Sequence, residues 1–150
     1  MKLMVRGALL VVLAIATSGV ARAGDPLLTM LDPYFRIQSS LSDDKTEGVK
    51  ADAVAIATTA KSMGEAGAPI VKAADALAGA ADLGAARTAF SQLSDAVIAF
   101  SESTKAEAGD GVHAMYCPML KKQWLQKGDK VSNPYYGKSM LTCGEKKKST

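Results

Sequence analysis

A run of apolar residues spaced three and four positions apart constrains the fold of this chain more than any other feature. It lies between residues 83 and 100 and consists of Leu83, Ala86, Phe90, Leu93, Val97 and Phe100. Residues at this spacing share one face of an α-helix, and a sustained stripe of them is typical of the buried seam in a helix bundle. The polar residues that we place off the seam are Arg87, Ser91, Ser94 and Asp95. The pattern therefore predicts a long helix that buries one apolar face.

Helical periodicity of the same kind extends back to Leu27, where proline, glycine and acidic residues divide it into shorter helices. The first predicted helix begins near Asp32, whose carboxylate would cap it while Pro33 takes the first helical position. Its buried residues are predicted to be Leu31, Tyr34, Ile37 and Leu41. Asp43 or Asp44 would cap the second helix in the same way, so acidic residues are expected to mark both helix starts.

Glycine and proline residues predict where the second helix ends and the third begins. Gly64 and Gly67 would end the second helix, and Pro69 would open the third. The inner face of the second is predicted to hold Val49, Ala53, Ile56, Ala57, Ala60 and Met63, and that of the third Ile70, Ala74, Leu77 and Ala81. Four amphipathic helices with short connections predict an all-α fold, an antiparallel helix bundle over residues 24–110.

The composition changes after Ser103, where a polar linker leads into residues 111–150, which we call the motif segment. Helical periodicity stops there, and Asn133 and Gly137 predict a turn. We expect an irregular C-terminal loop with at most short strands. Its aromatic residues are expected to anchor it to the bundle. These anchors are Trp124, Tyr135 and Tyr136.

Residues 1–23 have the composition of a secretory signal peptide. Lys2 and Arg6 give a positive start, an apolar run follows over residues 8–16, and an A-x-A cleavage site ends at Ala23. The run is shorter than the roughly 20 apolar residues that a membrane-spanning helix needs. We therefore expect cleavage before Gly24 and a periplasmic or secreted protein with no membrane anchor after the signal is removed.

Charge is distributed unevenly along the chain. The formal net charge of the whole sequence is +3, but residues 1–23 carry three basic residues and no acidic one, so the remainder is neutral overall. Residues 24–110 hold seven basic and thirteen acidic side chains, and the motif segment holds eight basic and two acidic ones. These opposite charges of −6 and +6 are expected to attract each other. Zero net charge in an exported protein argues against nucleic acid as a partner.

The motif segment concentrates groups that bind soft metals, since it contains both cysteines, the only histidine and three of the seven methionines. Four of them alternate along the chain and would share one face of an extended segment. These four are His113, Met115, Cys117 and Met119. Met140 and Cys143 are three residues apart and would be neighbours on a helical turn. Because thiolate and thioether ligands favour copper(I), we predict these six residues as candidate ligands of copper(I) or silver(I).

Two strings in the motif segment resemble the signature of domain-of-unknown-function family 3347. They are YCPM at residues 116–119 and NPYYGKSMLTCG at residues 133–144. Members of that family are small exported bacterial proteins, or C-terminal extensions of adaptor proteins in copper and silver efflux systems, with a helical part before these motifs. The residues that match the family's motifs are Cys117, Met119, Met140 and Cys143, with Trp124 matching a family tryptophan. The resemblance implies metal handling, by sequestration or by delivery to an efflux adaptor, whereas His113 and Met115 rest on spacing alone.

A disulfide between Cys117 and Cys143 is the alternative to a metal site, because an exported protein with an even number of cysteines most often pairs them. It would close a loop of about 27 residues and stabilise the fold by about 3 to 4 kcal/mol in the chain-entropy model. The chain would then be a structural or protein-interaction module with a stapled C-terminal loop. The remaining soft groups could still offer copper(I) a site in that oxidised form. They are His113, Met115, Met119 and Met140.

The sequence offers little for catalysis or for other cofactors. With one histidine, no triad of serine, histidine and an acid can be assembled, and there is no glycine-rich phosphate loop. The two cysteines are 26 positions apart, whereas a thiol oxidoreductase usually carries them as C-x-x-C. A haem attachment motif is absent, and zinc lacks a fourth strong ligand. We therefore expect a protein that is not an enzyme.

Overall fold

The computed structural model describes residues 25–147, so the predicted signal peptide at residues 1–23 lies outside the described residues. Four α-helices come first and a three-stranded antiparallel sheet follows. The helices are α1 (Pro26–Ser42), α2 (Val49–Lys61), α3 (Ala68–Ala78) and α4 (Leu83–Thr104), and the strands are β1 (Val112–Cys117), β2 (Lys122–Lys127) and β3 (Glu145–Lys146). Short 3-10 helices, Gly64–Gly67 and Gly137–Ser139, precede α3 and β3. No helix between residues 25 and 147 is long and apolar enough to cross a membrane.

The all-α prediction is wrong, because part of the motif segment forms a sheet. β1 and β2 make an antiparallel hairpin in which Met115 lies opposite Trp124, and β3 pairs with the other edge of β1. The alternation of His113, Met115 and Cys117 that suggested metal ligands is also the two-residue period of a strand. The order of strands in the sheet is β2-β1-β3, and the fold combines α and β structure.

α1 begins at Pro26 rather than near Asp32. Asp25 caps the helix, because its Oδ1 accepts a hydrogen bond from the backbone N–H of Leu27 at 2.9 Å, and Pro26 takes the first helical position. Pro33 therefore lies inside the helix, where it is buried. The sequence contains two Asp-Pro pairs, and the earlier start adds Leu27 to the buried face. The four predicted core residues of α1 are buried as expected.

α2 begins after Gly48 rather than after an acidic cap. Gly48 has φ = +78°, a backbone conformation that glycine adopts without the strain a side chain would cause. Asp43 instead follows the last residue of α1, and Asp44 forms an ion pair with Arg87 of α4. The prediction that Asp43 or Asp44 caps α2 is therefore wrong.

The predicted apolar faces of α2 and α3 are confirmed within the helices themselves. α2 buries its inner residues from 49 to 60, while Met63, which lies beyond the helix end, is partly buried. α3 buries Ile70, Ala74 and Leu77. Ala81 is exposed, contrary to the prediction, because α3 ends before it.

α4 buries the predicted seam from Ala86 to Val97, and its two ends are partly buried. Ser91 and Ser94, which the sequence places off the seam, are buried as well. The hydroxyl of Ser94 lies 2.7 Å from that of Tyr34, so its polar group has a partner in the core. The buried face of α4 is wider than the sequence predicts, because the helix packs against β2 as well as against other helices.

The sheet joins the helical core through aromatic side chains. The backbone N–H of Leu125 in β2 donates to the Tyr34 hydroxyl at 3.0 Å. Tyr135 packs edge-on to Trp124, with ring centroids 5.8 Å apart, and also contacts Phe90 of α4. Trp124 and Tyr135 therefore anchor the motif segment to the bundle as predicted, and one hydrophobic core runs through both parts.

Candidate functional site

The two cysteines meet where the last strand returns to the sheet. Cys117 is the final residue of β1, and Cys143 lies two residues before β3. Because Tyr116 pairs with Glu145, the residues that flank this pair are brought alongside each other. The Cys117 Sγ and Cys143 Sγ atoms are 3.2 Å apart, and both thiols are free. The pairing of β1 with β3 thus assembles a sulfur pair from residues 26 positions apart in sequence.

Cys117 is fully buried, and hydrogen-bond donors surround its sulfur. The donors are the backbone N–H groups of Met119 and Leu120, the side-chain amide of Asn133 and the thiol of Cys143. The two backbone groups belong to the turn between β1 and β2. Burial raises the pKa of the Cys117 thiol, but the hydrogen bonds together outweigh burial and hold this pKa below its ordinary value. The Cys117 sulfur is therefore prepared to carry a negative charge.

Cys143 is half-buried, and of the two thiols it is the one that keeps its proton to the higher pH. Its hydrogen bond to Cys117 raises the pKa of its thiol, and burial raises it further. Ionising both thiols would place two negative charges 3.2 Å apart. The pair therefore loses its first proton from Cys117 and keeps the second on Cys143.

Asn133 ties the two cysteines to the rest of the motif segment, and its side chain is fully buried. Its Nδ2 donates to the Cys143 carbonyl at 2.6 Å. Its Oδ1 accepts hydrogen bonds from the backbone N–H groups of Tyr135 at 2.8 Å and Tyr136 at 3.2 Å. The sequence identifies Asn133 only as a turn residue. The signal that could have marked it is the tendency of asparagine to bond the backbone two residues on, as it does here with Tyr135.

Gly144 lets the chain pass close to the sheet beside Cys143. Its φ is +155°, and a Cβ atom there would lie 2.8 Å from Trp124 Cη2 and 3.2 Å from Val131 Cγ1. Any side chain at this position would push the following strand away from Trp124. The sulfur pair depends on this close approach, which sequence reasoning missed because glycine carries no chemistry of its own.

Met119 and Met140 flank the sulfur pair and are open to solvent. Their side chains are 63% and 38% exposed. Each is also linked to the pair through its backbone, since the Met119 N–H bonds the Cys117 sulfur and the Met140 carbonyl accepts from the Cys143 N–H at 3.0 Å. An exposed thioether is accessible to a soft metal ion or to a partner protein.

Met115 and His113 are not available to the sulfur pair in the way the sequence predicts. Met115 is fully buried opposite Trp124, where it fills the core. His113 is four residues from Cys117 along β1, or about 13 Å at the rise of an extended strand. Its Nε2 lies 3.2 Å from Asp129 Oδ1 and 3.2 Å from a lysine Nζ of β3, so charged groups hold the ring. The structure brings the two cysteines together and leaves Met119 and Met140 exposed near them in sequence, whereas Met115 is closed off in the core and His113 lies further along β1.

The sulfur pair is short of ligands for the harder metals. Between residues 25 and 147, no group of three or more histidine, cysteine, aspartate and glutamate side chains is placed to hold a metal ion. Two cysteines alone are too few for a closed tetrahedral zinc site. A metal ion at this place would need the methionine thioethers as further donors, and thioethers select for a soft ion.

No family model matches the chain, and neither a curated protein nor a solved structure matches it at a significant level. The resemblance to family 3347 therefore stays a prediction that rests on the two motifs.

Proposed function

We propose that this protein binds copper(I) or silver(I) at the sulfur pair, as an exported protein that sequesters the ion or delivers it to an efflux system. The supporting observation is the 3.2 Å approach of Cys117 Sγ to Cys143 Sγ, together with two solvent-exposed methionines that lie two and three residues from these cysteines in sequence. Cysteine and methionine sulfurs are the ligands that these soft ions prefer. Met119 and Met140 therefore complete the proposed ligand set. The proposed periplasmic or secreted location rests on the sequence of residues 1–23.

The hydrogen bonds around Cys117 favour metal binding. The thiolate is the form that binds metal, and despite burial the hydrogen bonds to the sulfur already lower the pKa of Cys117. Cys143 would release its proton when the ion enters, so binding should acidify the solution. The two sulfurs would also move apart to admit the ion. Cys143 is the ligand with room to move, because it is half-buried in a loop whereas Cys117 is fully buried at the end of a strand.

Exposure of Met119 and Met140 gives the proposed site a route for transfer. A cysteine or methionine of a partner could approach the ion from the solvent side and replace these thioethers one at a time. Thioethers carry no charge, so they hold a cation less strongly than a thiolate does and would leave first. The partner that we propose is a metal-efflux adaptor protein, as the family resemblance implies.

Competition with a copper(I) chelator tests the proposal. The reduced wild-type protein should outcompete a weak chelator. A double Cys117→Ser and Cys143→Ser variant should lose most of the affinity, because serine offers only a neutral hydroxyl. Met140→Leu should weaken copper(I) binding while it keeps the side-chain volume, with a stability change below about 1.5 kcal/mol.

Met63→Leu is the matched control for Met140→Leu. It removes a thioether from a partly buried position just beyond α2, outside the sulfur pair. Its affinity for copper(I) should equal that of the wild type. The proposed site is wrong if the reduced wild type cannot outcompete the weak chelator, or if Met63→Leu weakens binding as much as Met140→Leu does.

A disulfide-stapled module is the second candidate, and the same sulfur distance favours it. Two sulfurs 3.2 Å apart, one at the end of β1 and one before β3, are placed for oxidation to a disulfide that would fix β3 against β1. Oxidation should then raise the midpoint of thermal unfolding, and copper(I) titration should resemble that of an unrelated exported protein. The exposed methionines would contact a partner protein instead of an ion. Chelator competition and thermal unfolding, each measured in both redox states, separate the two candidates.

A further inference from the structure

The two sulfurs differ in how easily a molecule in solution can reach them. Cys117 is fully buried at the end of β1, whereas Cys143 is half-buried in the loop before β3. An external reagent therefore meets the Cys143 sulfur first and finds the Cys117 sulfur 3.2 Å away from it. This order matches thiol–disulfide exchange, in which one thiol attacks an outside disulfide and a second thiol resolves the mixed product.

We propose that the sulfur pair reacts with external disulfides, with Cys143 as the attacking thiol and Cys117 as the resolving thiol. The substrate class is an accessible aliphatic disulfide, R–S–S–R. The reaction needs no metal ion and goes beyond the proposed function, although it uses the same two sulfurs. The wide spacing of the cysteines in sequence is not an obstacle, because the pairing of β1 with β3 brings residues 26 positions apart into contact.

The reaction balances with two protons and two electrons from the protein. Cys143 releases its proton to water and attacks one sulfur of R–S–S–R, so that a Cys143–S–S–R bond forms and the first R–S⁻ leaves and takes up a proton. Cys117 then releases its proton and attacks Cys143 Sγ, which breaks the bond to R–S and expels a second R–S⁻ that is protonated in turn. The products are a Cys117–Cys143 disulfide and two R–SH, so the external disulfide is the oxidant and the two cysteines are oxidised.

The surroundings of Cys117 suit the resolving role. The Cys117 sulfur lies out of reach of solvent at the end of β1 and 3.2 Å from Cys143 Sγ, so a mixed disulfide on Cys143 is within its reach. Asn133 is fully buried at this place, and it holds the Cys143 carbonyl at 2.6 Å, which keeps the two sulfurs within reach of each other.

Oxidised glutathione is the probe, added to the reduced and metal-free protein, with intact mass and thiol counting as readouts. The wild type should lose both free thiols and retain no glutathione, because Cys117 expels it from Cys143. Cys117→Ser should retain one glutathione, which peptide mapping places on Cys143. Cys143→Ser should take up glutathione at least about tenfold more slowly than Cys117→Ser, because attack by a buried thiol first requires local opening.

Acid-quenched samples of the wild type keep the test valid if a serine variant fails to fold. A short-lived mixed disulfide in these samples should map to Cys143. A mixed disulfide on Cys117 would overturn the inference, and so would equal glutathione uptake by the two serine variants when both show native Trp124 fluorescence. A wild-type protein that keeps both thiols in excess oxidised glutathione would overturn it as well.

The copper(I) competition is carried out on reduced protein without any added disulfide, so the two proposals fail separately. Copper(I) binding without exchange would leave the metal site standing and remove this inference. Exchange without copper(I) binding would leave this inference standing and remove the metal site.

Discussion

The helical bundle and the motif segment are held together by different interactions. In the bundle, the helices satisfy their own backbone hydrogen bonds and meet through apolar side chains, many of them alanines. In the motif segment, buried polar side chains bind the backbone instead. Gln126 accepts a hydrogen bond from the Ser132 N–H at 3.0 Å. Asn133 donates to the Cys143 carbonyl and accepts from the N–H groups of Tyr135 and Tyr136. A segment with short strands thus relies on specific side chains where the bundle relies on helices.

At the junction between the two regions, side chains of the helices also donate hydrogen bonds to backbone carbonyls of the motif segment. Arg87 of α4 donates to the Pro134 carbonyl at 2.8 Å, and Gln38 of α1 donates to the Ser132 carbonyl at 2.6 Å. Every buried side-chain nitrogen and oxygen in the part of the chain that the structure describes has a hydrogen-bond partner. We infer that a single polar side chain in the motif segment can matter almost as much as an apolar core side chain in the bundle.

Phe90→Ala should have the largest effect on stability, and it probes the bundle. Phe90 is fully buried, with its ring centroid 5.0 Å from that of Tyr34 and 6.1 Å from that of Tyr135. Loss of the ring should lower the free energy of unfolding by about 3 to 5 kcal/mol, measured by urea denaturation. Gln92→Ala, at an exposed position of the same helix, should change it by less than about 0.5 kcal/mol. Equal losses would show that α4 is rotated relative to this structure.

Asn133→Ala should come next, with a loss of about 2 to 3 kcal/mol despite the small side chain. The variant leaves the Cys143 carbonyl and the N–H groups of Tyr135 and Tyr136 without their partner. Ser132→Ala is the control, because the hydrogen bonds of Ser132 described above use its backbone. If urea denaturation gives the two variants the same stability, side-chain bonds to the backbone do not hold the motif segment together.

The ion pair between Arg87 and Asp44 should give the smallest effect and a dependence on pH. Its atoms are 2.6 Å apart, and the hydrogen bond from Arg87 lowers the pKa of Asp44 below the ordinary value of 3.8. A carboxyl whose folded-state pKa is lowered stabilises the protein above its ordinary pKa, and this stabilisation disappears as pH falls through the lowered value. Urea midpoints should therefore fall more steeply below about pH 4 in the wild type than in Asp44→Asn. Both side chains are partly exposed, so the difference should shrink in high salt, and identical acid profiles would contradict the prediction.

The sequence predicts the bundle well wherever a helix buries a single face. The stripe from Ala86 to Val97 is buried as expected, because its spacing is compatible only with a helix. The start of α1 could not be predicted, since Asp25 and Asp32 are each followed by proline and either pair can begin a helix. Only the packing of Leu27 against the core distinguishes them.

β1 shows the alternation of a strand, which we interpret from the sequence as a ligand spacing, but β2 could not be predicted from periodicity because it is buried on both sides. Trp124 and Leu125 are adjacent in sequence and both are buried, so the strand shows no alternation of apolar and polar residues. The candidate site likewise has a part that the sequence predicts and a part that it does not. Its cysteines are evident from their chemistry, whereas Asn133 and Gly144 act on the backbone and can be assigned only once the strands are in place.

The hydrogen bond from the Leu125 N–H to the Tyr34 hydroxyl joins residues 91 positions apart. Neighbouring helices contact each other along the chain from α1 to α4, so the bundle can form by closing short loops, which is fast. Docking the sheet onto α1 requires the ends of this long loop to meet, which is slow. We therefore expect newly made chains to pass through a stage in which the helices are folded and both thiols still face the surrounding redox environment. Pulsed thiol labelling during refolding would show Cys117 becoming protected later than the helices form, and simultaneous protection would refute this order.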